Sequence, residues 1–436
     1  MLLMKSTSIS RRRFLAGSAA AIAAPMIILD SVLGKQGRAS PSNRITIACI
    51  GYGMMGTGNT DSFLGQPDAQ VVAVCDLDQK RLEAAKNAVD GRYSNKDCAA
   101  VHDFREVMAR DDIDAVMLAL PDHWHSIPAI MAARAGKDIY AEKPLSHTLV
   151  EGRSMCDAVK QYGRVWQTGS WQRSVGDFRF ACELVLNGRI GKVHTVEVGL
   201  PEGTTDFGGT KGQETFGPPP TWLDYETWLG PAPWAPYCPA RVHANWRWVL
   251  DYGGGQLMDW IGHHCDIAHW GMGMDYGGPT EIEGTGEYLK DGLWNTATKY
   301  KVIAKYPADI TMIIAGGHKE IRSGTKWIGT DGWVWVDRGG IDASPKSLLK
   351  EQDVRRQIAL FRSPGHHRNF LDCVKSRKTT LTPAEVAHRS ASPGHLGQIA
   401  MILGRRIKWD PKTETIENDE TATRMLGRAM REPWQL

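Results

Sequence analysis

A short apolar run that leads directly into closely spaced glycines constrains the fold of this chain most strongly. Residues 44–50, RITIACI, are rich in β-branched side chains, as strands are, and GYGMMG follows without a break. Gly51, Gly53 and Gly56 therefore form a G-x-G-x-x-G pattern at the end of a strand. In such a pattern the first glycine permits a tight turn, the second lets the backbone approach a pyrophosphate, and the third permits close packing of the next helix. The pattern predicts a dinucleotide-binding unit.

A second predicted strand ends in the carboxylate that such a unit uses. The run QVVAVCDLD places Asp76 20 residues after Gly56, where a carboxylate can hydrogen-bond ribose hydroxyls. This favours NAD over NADP, although Lys80 and Arg81 lie close enough to bind a 2′-phosphate if the loop turns differently. A Rossmann-like domain without a cofactor is the alternative. The candidate cofactor-binding residues in this region are Gly51, Gly53, Met54, Met55, Gly56 and Asp76.

The alternation of strands and helices continues to about residue 144. Helices are predicted at about 79–90, 104–110 and 128–134, and strands before Phe104, at 114–121 and at 137–144. This order indicates a doubly wound parallel sheet, whose ligands bind at the carboxyl ends of its strands. The segments PDHWH, 121–125, and EKP, 142–144, follow two of these strands. Pro121, His125, Glu142 and Lys143 are therefore further candidates for the cofactor site. For His125, a structural cap is the alternative.

The pattern changes at about residue 166. The runs VHTVEVGL, KYKVIAKYP, DITMIIAG and WVWVDR indicate strands without intervening helices, which favours a mostly antiparallel open sheet. Helical segments near 366–376 and 383–404 are expected to pack at the junction of the two domains. The Gly/Pro-rich segment 199–221 is predicted to be a long loop that is functional or contacts another subunit of an oligomer. The fold class is thus α/β, with a Rossmann-type domain at 43–165 and a C-terminal α+β domain at 166–436. Two domains also suit 436 residues, because single cores stop growing at roughly 250–300 residues.

The first 42 residues resemble an export signal. SRRRFL, 10–15, fits the twin-arginine pattern, and the apolar run from Phe14 to Leu29 has sixteen residues. A bilayer-spanning helix needs roughly 20, so we expect a cleaved signal, no stable membrane span afterwards, and a periplasmic or otherwise exported protein that has used the twin-arginine machinery. The alternatives are an uncleaved amphipathic anchor and a chance basic N-terminus.

Composition excludes some classes of protein and favours a class of substrate. The net charge is +3 without a concentrated basic stripe, which argues against nucleic-acid binding. The eight cysteines show no CxxC or finger spacing, so neither a zinc module nor a disulfide framework is indicated. The chain has 16 tryptophans, many of them between Trp222 and Trp270, and indole rings stack well on sugars. A carbohydrate-sized substrate is favoured, although core packing is the more common role for any single tryptophan.

Several of these motifs together resemble one enzyme family. GYGMMG, Asp76, PDHWHS, AEKP at 141–144 and GGGQLMDWIGHHCDIAHW at 253–270 are similar to the glucose-fructose oxidoreductase and inositol dehydrogenase family, Gfo/Idh/MocA. WLGPAPWAPY, 228–237, and HHRNFLDCVKSRK, 366–378, resemble its exported branch. The resemblance implies a nicotinamide-dependent oxidoreductase with its substrate between the domains. It also implies a homo-oligomer, a dimer or tetramer, formed through the open sheet face.

Three residues suit hydride transfer from a secondary alcohol, and the resemblance implies the same trio. Lys143 supplies a cation for alkoxide character. Residues 259–266 are predicted as helix, so Asp259 and His263 share a face, and we expect the carboxylate to orient and polarise the imidazole that acts as acid or base. Glu142 holds the ammonium, lines the pocket or forms a structural ion pair. A metal site including His264 and Asp266 is the less favoured alternative, because the two faces of the helix do not supply a full set of ligands.

The resemblance to the exported branch implies that Trp171 and Arg173 line the substrate pocket, whereas the sequence alone indicates only a loop there. His264 is a further candidate for the substrate pocket, with packing as the alternative. The resulting hypothesis is an NAD(P)-dependent oxidoreductase that acts on a ring hydroxyl of a sugar, glycoside or cyclitol, with NAD, or less favourably NADP, tightly bound. Two alternatives stay open. One is a glycoside hydrolase that oxidises its substrate transiently, eliminates the leaving group, adds water and reduces the product again. The other is a non-catalytic sugar-binding protein.

Overall fold

The computed structural model describes Ser40, residues 43–350 and residues 357–436. The twin-arginine pattern and the apolar run behind it lie outside these residues. Residues Ile45–Leu436 form one compact unit built on two sheets. In the described part of the chain, no helix combines the length and apolar character needed to cross a membrane.

The first sheet has six parallel strands in the order β3-β2-β1-β4-β5-β6. The strands are β1 (Ile45–Ile50), β2 (Ala69–Cys75), β3 (Ala99–Val101), β4 (Ala115–Leu118), β5 (Asp138–Ala141) and β6 (Trp166–Thr168). The strand order reverses direction between β1 and β4, and such a switch point opens a crevice at the carboxyl ends of the strands.

Helices cover both faces of this sheet, as predicted. They are α1 (Met54–Leu64), α2 (Gln79–Tyr93), α3 (Phe104–Met108), α4 (Ser126–Arg134) and α5 (Leu149–Gln161). Side chains of β1 alternate between two cores, with Ile47 and Cys49 in one and Ala48 and Ile50 in the other. This alternation follows from the twofold period of a strand, and burial on both sides explains why the strand is apolar throughout.

The second sheet has nine strands in the order β13-β12-β11-β7-β10-β9-β8-β14-β15. They are β7 (Val193–Leu200), β8 (Glu281–Tyr288), β9 (Ala297–Tyr306), β10 (Ile310–Gly316), β11 (Gly324–Gly329), β12 (Gly332–Asp337), β13 (Gly340–Ser344), β14 (Ile407–Asp410) and β15 (Thr415–Ile416). β7 and β10 pair in parallel, and the other neighbouring pairs are antiparallel. The prediction of a mostly antiparallel second sheet is confirmed.

Six further helices follow: α6 (Gly176–Leu186), α7 (Tyr225–Leu229), α8 (Gly255–Met272), α9 (His366–Ser376), α10 (Ala384–Leu403) and α11 (Glu420–Arg424). Leu257, Ile261 and Cys265 on α8 belong to the core that covers one face of the second sheet. Phe370 on α9 instead belongs to a core of the first sheet, together with Phe63. The late helix α9 therefore returns to the first domain.

Two features differ from the sequence-based expectation near residue 166. β6 pairs with β5, so the first sheet extends past residue 165. α6 then precedes β7, although strands without intervening helices were expected there. A three-residue strand such as β6 is too short to show a periodic pattern, so pairing with β5, not local sequence, determines its place.

The connection between β7 and α8 includes a segment, residues 222–253, that packs on the first domain, and we call it the clasp. At one end Gln79 N donates to Trp222 O at 2.8 Å, and Asp224 N donates to Leu77 O at 3.1 Å. At the other end His123 N donates to Tyr252 O at 3.2 Å. Between them, Trp124 Nε1 donates to Trp228 O at 2.9 Å. The clasp is thus hydrogen-bonded to the loops that follow β2 and β4.

Candidate active site

A cleft of about 1140 Å³, partly open to solvent, lies at the carboxyl ends of β1, β2, β4 and β5, beneath the clasp. Of the residues predicted to form the site, those that line it are Gly51, Gly53, Met54, Met55, Asp76, Pro121, Glu142, Lys143 and Asp259. Those outside its lining are Gly56, His125, Trp171, Arg173, His263 and His264. The cleft therefore brings together the glycine turn, Lys143 of the EKP segment and Asp259 of α8.

Two of the three glycines are required by packing. Gly51 has φ +88°, and a Cβ there would lie 2.2 Å from Ala119 O. A Cβ on Gly56 would lie 2.0 Å from Gly51 O. A side chain on Gly51 would thus clash with the loop that follows β4, and one on Gly56 would separate α1 from the end of β1, which agrees with the roles expected of the first and third glycines.

The packing of the protein alone does not explain the middle glycine. A Cβ on Gly53 would meet only Arg81 Nη1, at 3.2 Å, and otherwise project into the cleft. Gly53 is also the N-cap of α1 and provides no side chain to cap the first turn. Met54 and Met55 follow it along the cleft, and Met54 is 58% exposed. Uncapped amides beside an unfilled space fit a pyrophosphate group.

Asp76 is held at the end of β2 by backbone donors. Its carboxylate accepts hydrogen bonds from Tyr52 N at 2.7 Å and Asp78 N at 2.9 Å. Burial raises the pKa of Asp76, and the two N–H donors act against this shift. Arg81 lines the same part of the cleft, whereas Lys80 lies 4.3 Å from the ring centroid of Trp222. The carboxylate is therefore oriented before any ligand binds.

Lys143 lies where the two domains meet. Its ammonium donates to Asp259 O at 2.7 Å and to Asp259 Oδ1 at 3.0 Å. Arg247 Nε, from the clasp, donates to the same carboxylate oxygen at 3.0 Å. Although burial alone would raise it, the pKa of Asp259 is held far below its usual range by the charges of Lys143 and Arg247. Gly262 permits this approach, because a Cβ there would lie 2.9 Å from Lys143 Cβ.

The expected partnership between Asp259 and His263 is not formed. Asp259 Oδ1 is occupied by Lys143 and Arg247, and His263 Nδ1 is buried without a hydrogen-bond partner among the described residues. Burial lowers the pKa of His263 well below its ordinary value, and the charges of Lys143 and Arg338 add to this shift. The charge of Asp259 does act to raise this pKa, as predicted, but burial and the two cations outweigh it, so His263 is neutral at neutral pH.

Glu142 does not hold the ammonium of Lys143. Its Oε1 accepts a hydrogen bond from Asn59 Nδ2 at 2.9 Å, and its Oε2 accepts one from Lys143 N at 3.3 Å. A Cβ on Gly169 would lie 2.8 Å from Oε1. Burial raises the pKa of Glu142. Of the alternatives, lining the cleft agrees with the structure, and an ion pair with the ammonium does not.

His125 links two loops through hydrogen bonds and does not line the cleft. Its Nδ1 lies 2.7 Å from Pro144 O, and its Nε2 lies 2.9 Å from Leu120 O. Both ring nitrogens are thus used on backbone carbonyls of the loops after β4 and β5. The expected cofactor contact of His125 is corrected accordingly.

Two of the three predicted substrate residues are also buried elsewhere. Arg173 forms an ion pair with Asp266 at 2.8 Å and a second with Asp275 at 2.8 Å, with its side chain 1% exposed. His264 is completely buried, packs on Phe178 and lies 3.4 Å from Asp337. An unpaired charge in that interior would be costly, which explains why a carboxylate accompanies Arg173. The third residue, Trp171, also lies outside the lining of the cleft, and its ring centroid is 6.3 Å from that of His263.

Sequence reasoning missed several residues that line the cleft. Arg247 comes from the clasp, and nothing in the spacing NWRW connects it with Asp259. Asp122 is buried at the cleft wall, and burial raises its pKa well above the ordinary value, with Arg247 acting in the opposite direction. Trp228 and Trp246 also line the cleft. The crowding of aromatic residues in 222–253 was the one available signal.

Within the described residues, no group of three or more His, Cys, Asp or Glu side chains is placed to hold a metal ion.

Comparison with known families agrees with this architecture. A model described as oxidoreductase family, NAD-binding Rossmann fold, matches residues 45–170. A second, described as oxidoreductase family, C-terminal alpha/beta domain, matches residues 183–436. The chain belongs to the Gfo/Idh/MocA family of NAD-dependent oxidoreductases.

Curated relatives differ in how much of the chain they match. Myo-inositol 2-dehydrogenase of Thermotoga maritima is 23% identical over 83% of this chain and 95% of its own length. The 2,7-anhydro-N-acetylneuraminate hydratase of Mediterraneibacter gnavus is 29% identical over 33% of this chain, which spans 37% of the hydratase. Glycosyl hydrolase family 109 protein 2 of a Shewanella species is 30% identical over 27% of this chain and 26% of its own length.

Solved structures share the fold. Scyllo-inositol dehydrogenase from Lactobacillus casei, with NAD(H) and scyllo-inositol, has a TM-score of 0.59 and 16% identity, and the match covers 84% of this chain and 99% of that one. The WlbA dehydrogenase from Bordetella pertussis, with NADH and UDP-GlcNAcA, has a TM-score of 0.62 and 16% identity over 84% of this chain and 99% of that one.

Proposed function

We propose that this protein uses NAD to oxidise a ring hydroxyl of a sugar, glycoside or cyclitol. The observation that carries the proposal is the pairing of Lys143 with Asp259 at the inner end of the cleft, one helical turn from His263. The full-length relative from Thermotoga maritima bears the name of a cyclitol dehydrogenase, which supports this substrate class.

The hydrogen bonds of Lys143 define its role. An ammonium has three N–H donors, and two are used on Asp259, at its carbonyl and carboxylate oxygens. The third is free to donate to the substrate hydroxyl oxygen and stabilises it as negative charge develops. The bound nicotinamide supplies a carbon that accepts the hydride from the substrate. Arg247 fixes Asp259 from the other side, so the carboxylate cannot turn away from the ammonium.

His263 is suited to take the hydroxyl proton. Its low pKa keeps the imidazole neutral, and a neutral imidazole can accept a proton. Nδ1 is buried, which leaves Nε2 as the nitrogen for the proton. Transfer of the hydroxyl proton would place a positive charge near Lys143, so it is favoured only when the substrate carbon gives up its hydride in the same step and a neutral carbonyl group forms.

The cofactor is proposed to be NAD and to stay bound between turnovers. The oriented carboxylate of Asp76 would accept hydrogen bonds from the adenosine ribose and repel a 2′-phosphate. Arg81 is the residue that would favour NADP instead. Hydrogen bonds join the clasp to the loops after β2 and β4, and release of a dinucleotide would have to break them.

A panel of hexoses, hexuronates and inositols tests the proposed reaction. The purified protein and added NAD are mixed with each compound, and nicotinamide absorbance is followed. We expect reduction with at least one compound that carries a free ring hydroxyl, and loss of that reduction in Lys143→Met. Absence of reduction with every compound, or equal reduction by Lys143→Met, would contradict the proposal.

The clasp also favours a second candidate, hydrolysis of a glycoside by transient oxidation. A cofactor that cannot readily leave suits a cycle in which it is oxidised and reduced within one turnover. The partial match to a glycosyl hydrolase family 109 protein covers only 27% of this chain. Release of a free sugar from a glycoside, without added NAD and without net absorbance change, would identify this activity. Product formation only with stoichiometric NAD reduction would exclude it.

Export and assembly complete the proposal. The twin-arginine pattern is the basis for proposing transport to the periplasm in a folded, cofactor-loaded form.

The face of the second sheet away from α8 carries the cross-strand pair Ile303 and Ile313, which are partly exposed. That face is proposed as the contact of a dimer or tetramer, and gel filtration with light scattering tests it.

A further inference from the structure

Arg338 lies in the turn between β12 and β13, close to the proposed proton acceptor. Its guanidinium carbon is 4.8 Å from the ring centroid of Trp171 and 4.5 Å from that of Trp260. The same two rings contact the imidazole of His263, with centroid separations of 6.3 and 5.4 Å. Arg338 and His263 therefore pack against the same two tryptophan rings.

The guanidinium is fixed by a buried amide as well. Gln172 is completely buried, and in the amide orientation that satisfies both polar atoms it donates to His263 O at 3.0 Å and accepts from Arg338 Nε at 3.3 Å. This hydrogen bond uses Nε. The edge formed by Nη1 and Nη2 has no hydrogen-bond partner within the described ranges, so a planar pair of donors is left available.

Arg338 also forms no ion pair with a carboxylate in the described part of the chain. The adjacent Asp337 is used otherwise: its Oδ2 accepts from Ser323 Oγ at 2.8 Å, and its Oδ1 lies 3.4 Å from His264 Nε2. Arg173 and Arg247, which also stack on tryptophan, each have a carboxylate partner. The charges of Asp337 and Asp259 act on Arg338 without direct contact and oppose the effect of burial on its pKa. Arg338 thus combines a fixed orientation with side-chain donors that no carboxylate contacts within the described residues.

We propose that Arg338 binds a carboxylate carried by the substrate, so that the preferred substrates are acidic sugars. This inference rests on the proposed function. A guanidinium fork matches the two oxygens of a carboxylate, and the flanking indoles offer apolar faces for the sugar ring. One guanidinium balances one negative charge, which favours a carboxylate over a phosphate dianion.

Binding of an anion there would also act on His263. The positive charge of Arg338 contributes to the low pKa of the imidazole. A carboxylate against the guanidinium would offset that charge and make His263 a stronger base. An acidic substrate would therefore raise the basicity of His263, the residue that accepts its proton, whereas a neutral sugar would not.

Calorimetric titration of the full-length protein with NAD present tests the proposal. Glucuronate and galacturonate are compared with glucose, galactose and glucose 6-phosphate, for wild type, Arg338→Gln and Arg338→Lys. Arg322→Gln is the matched control, because Arg322 stacks on Trp335 with its guanidinium carbon 3.1 Å from the ring centroid but pairs with Asp342. We expect Arg338→Gln to weaken binding of a uronate by about 10- to 100-fold, the usual value of a charge-assisted pair, and Arg338→Lys to recover part of it. Neutral sugars and the Arg322→Gln variant should be unaffected.

The outcomes separate this inference from the proposed reaction. Binding of a uronate that depends on Arg338, without any change in nicotinamide absorbance, would support the carboxylate site and contradict the proposed oxidation. Equal affinity of wild type for uronates and neutral hexoses, or equal losses for both in Arg338→Gln, would overturn the inference. Tighter binding of glucose 6-phosphate than of either uronate, or no binding of any compound, would overturn it as well.

Discussion

One carboxylate oxygen of Asp259 accepts hydrogen bonds from both Lys143 and Arg247. This arrangement determines the role that each of the three residues can have. Sequence spacing placed Asp259 and His263 on one face of a helix, and α8 confirms the helix. Spacing could not show that Lys143, 116 residues earlier, and Arg247 compete for the same carboxylate. Residues far apart in the chain become neighbours only through the fold. The sequence therefore indicated the proposed catalytic trio as candidates, but it could not indicate which groups within the site contact one another.

Gly262 is expected to be critical because it admits the stem of Lys143. A methyl group in Gly262→Ala would lie 2.9 Å from Lys143 Cβ, and both atoms are close to their backbones, so the ammonium must move. A displacement of about 1 Å can cost roughly 100-fold in rate, so kcat should fall by about that factor while NAD binding is kept. Gly91→Ala on α2 is the control, because a Cβ there meets nothing within 4 Å. Equal kcat for both variants would show that Lys143 tolerates the shift.

The low pKa of His263 predicts the pH dependence of oxidation. Since the folded protein holds this pKa below that of free imidazole, about 6.5, the neutral base persists as pH falls through that value. We expect kcat/KM for sugar oxidation, which reports ionisations of the free enzyme, to stay level down to a pH of about 6.5 and to decline only below it. His263→Gln should reduce kcat by about 100- to 10,000-fold and remove the acidic limb. A wild-type inflection above that pH, lost in His263→Gln, would show that the imidazole is charged in the resting enzyme.

Among the elements, the strands and helices with a clear period were predictable and the clasp was not. β1, β2 and α2 follow apolar runs or caps visible in the sequence, such as Asp78, which accepts hydrogen bonds from Lys80 N and Arg81 N. The clasp has only short helices and is held by backbone hydrogen bonds to the first domain. Such bonds leave no mark on residue type. The part of the site that covers the cofactor was therefore missing from the sequence-based account.

Gln79→Pro should loosen the clasp without damaging α2. Gln79 is the first residue of α2, a position that tolerates proline, and the substitution removes the N–H that donates to Trp222 O. Loss of one such bond predicts roughly 2- to 10-fold faster release of NAD. Glu420→Pro is the matched control at the first residue of α11. Competitor-chase fluorescence measures the release rate, and equal rates for both variants and wild type would contradict a retaining role for the clasp.

At the scale of the whole molecule, the proposal is that the protein is exported with its cofactor bound. Replacement of Arg11 and Arg12 by lysine should leave the protein in the cytoplasm, because the twin-arginine machinery reads that pair. Arg13→Lys changes the neighbouring arginine and should still be exported. Cell fractionation followed by immunoblotting measures the distribution. Periplasmic protein after the double replacement would contradict the twin-arginine assignment.

The central claim is that hydride passes from a ring carbon of the substrate to NAD held beside Lys143. The direct measurement uses a sugar that carries deuterium at the oxidised carbon, followed by denaturation and mass spectrometry of the released nucleotide. The account predicts that nucleotide from wild type carries the deuterium, whereas Lys143→Met binds the nucleotide but releases it unlabelled. Unlabelled nucleotide from wild type in the presence of oxidised sugar, or labelled nucleotide from Lys143→Met, would contradict the claim.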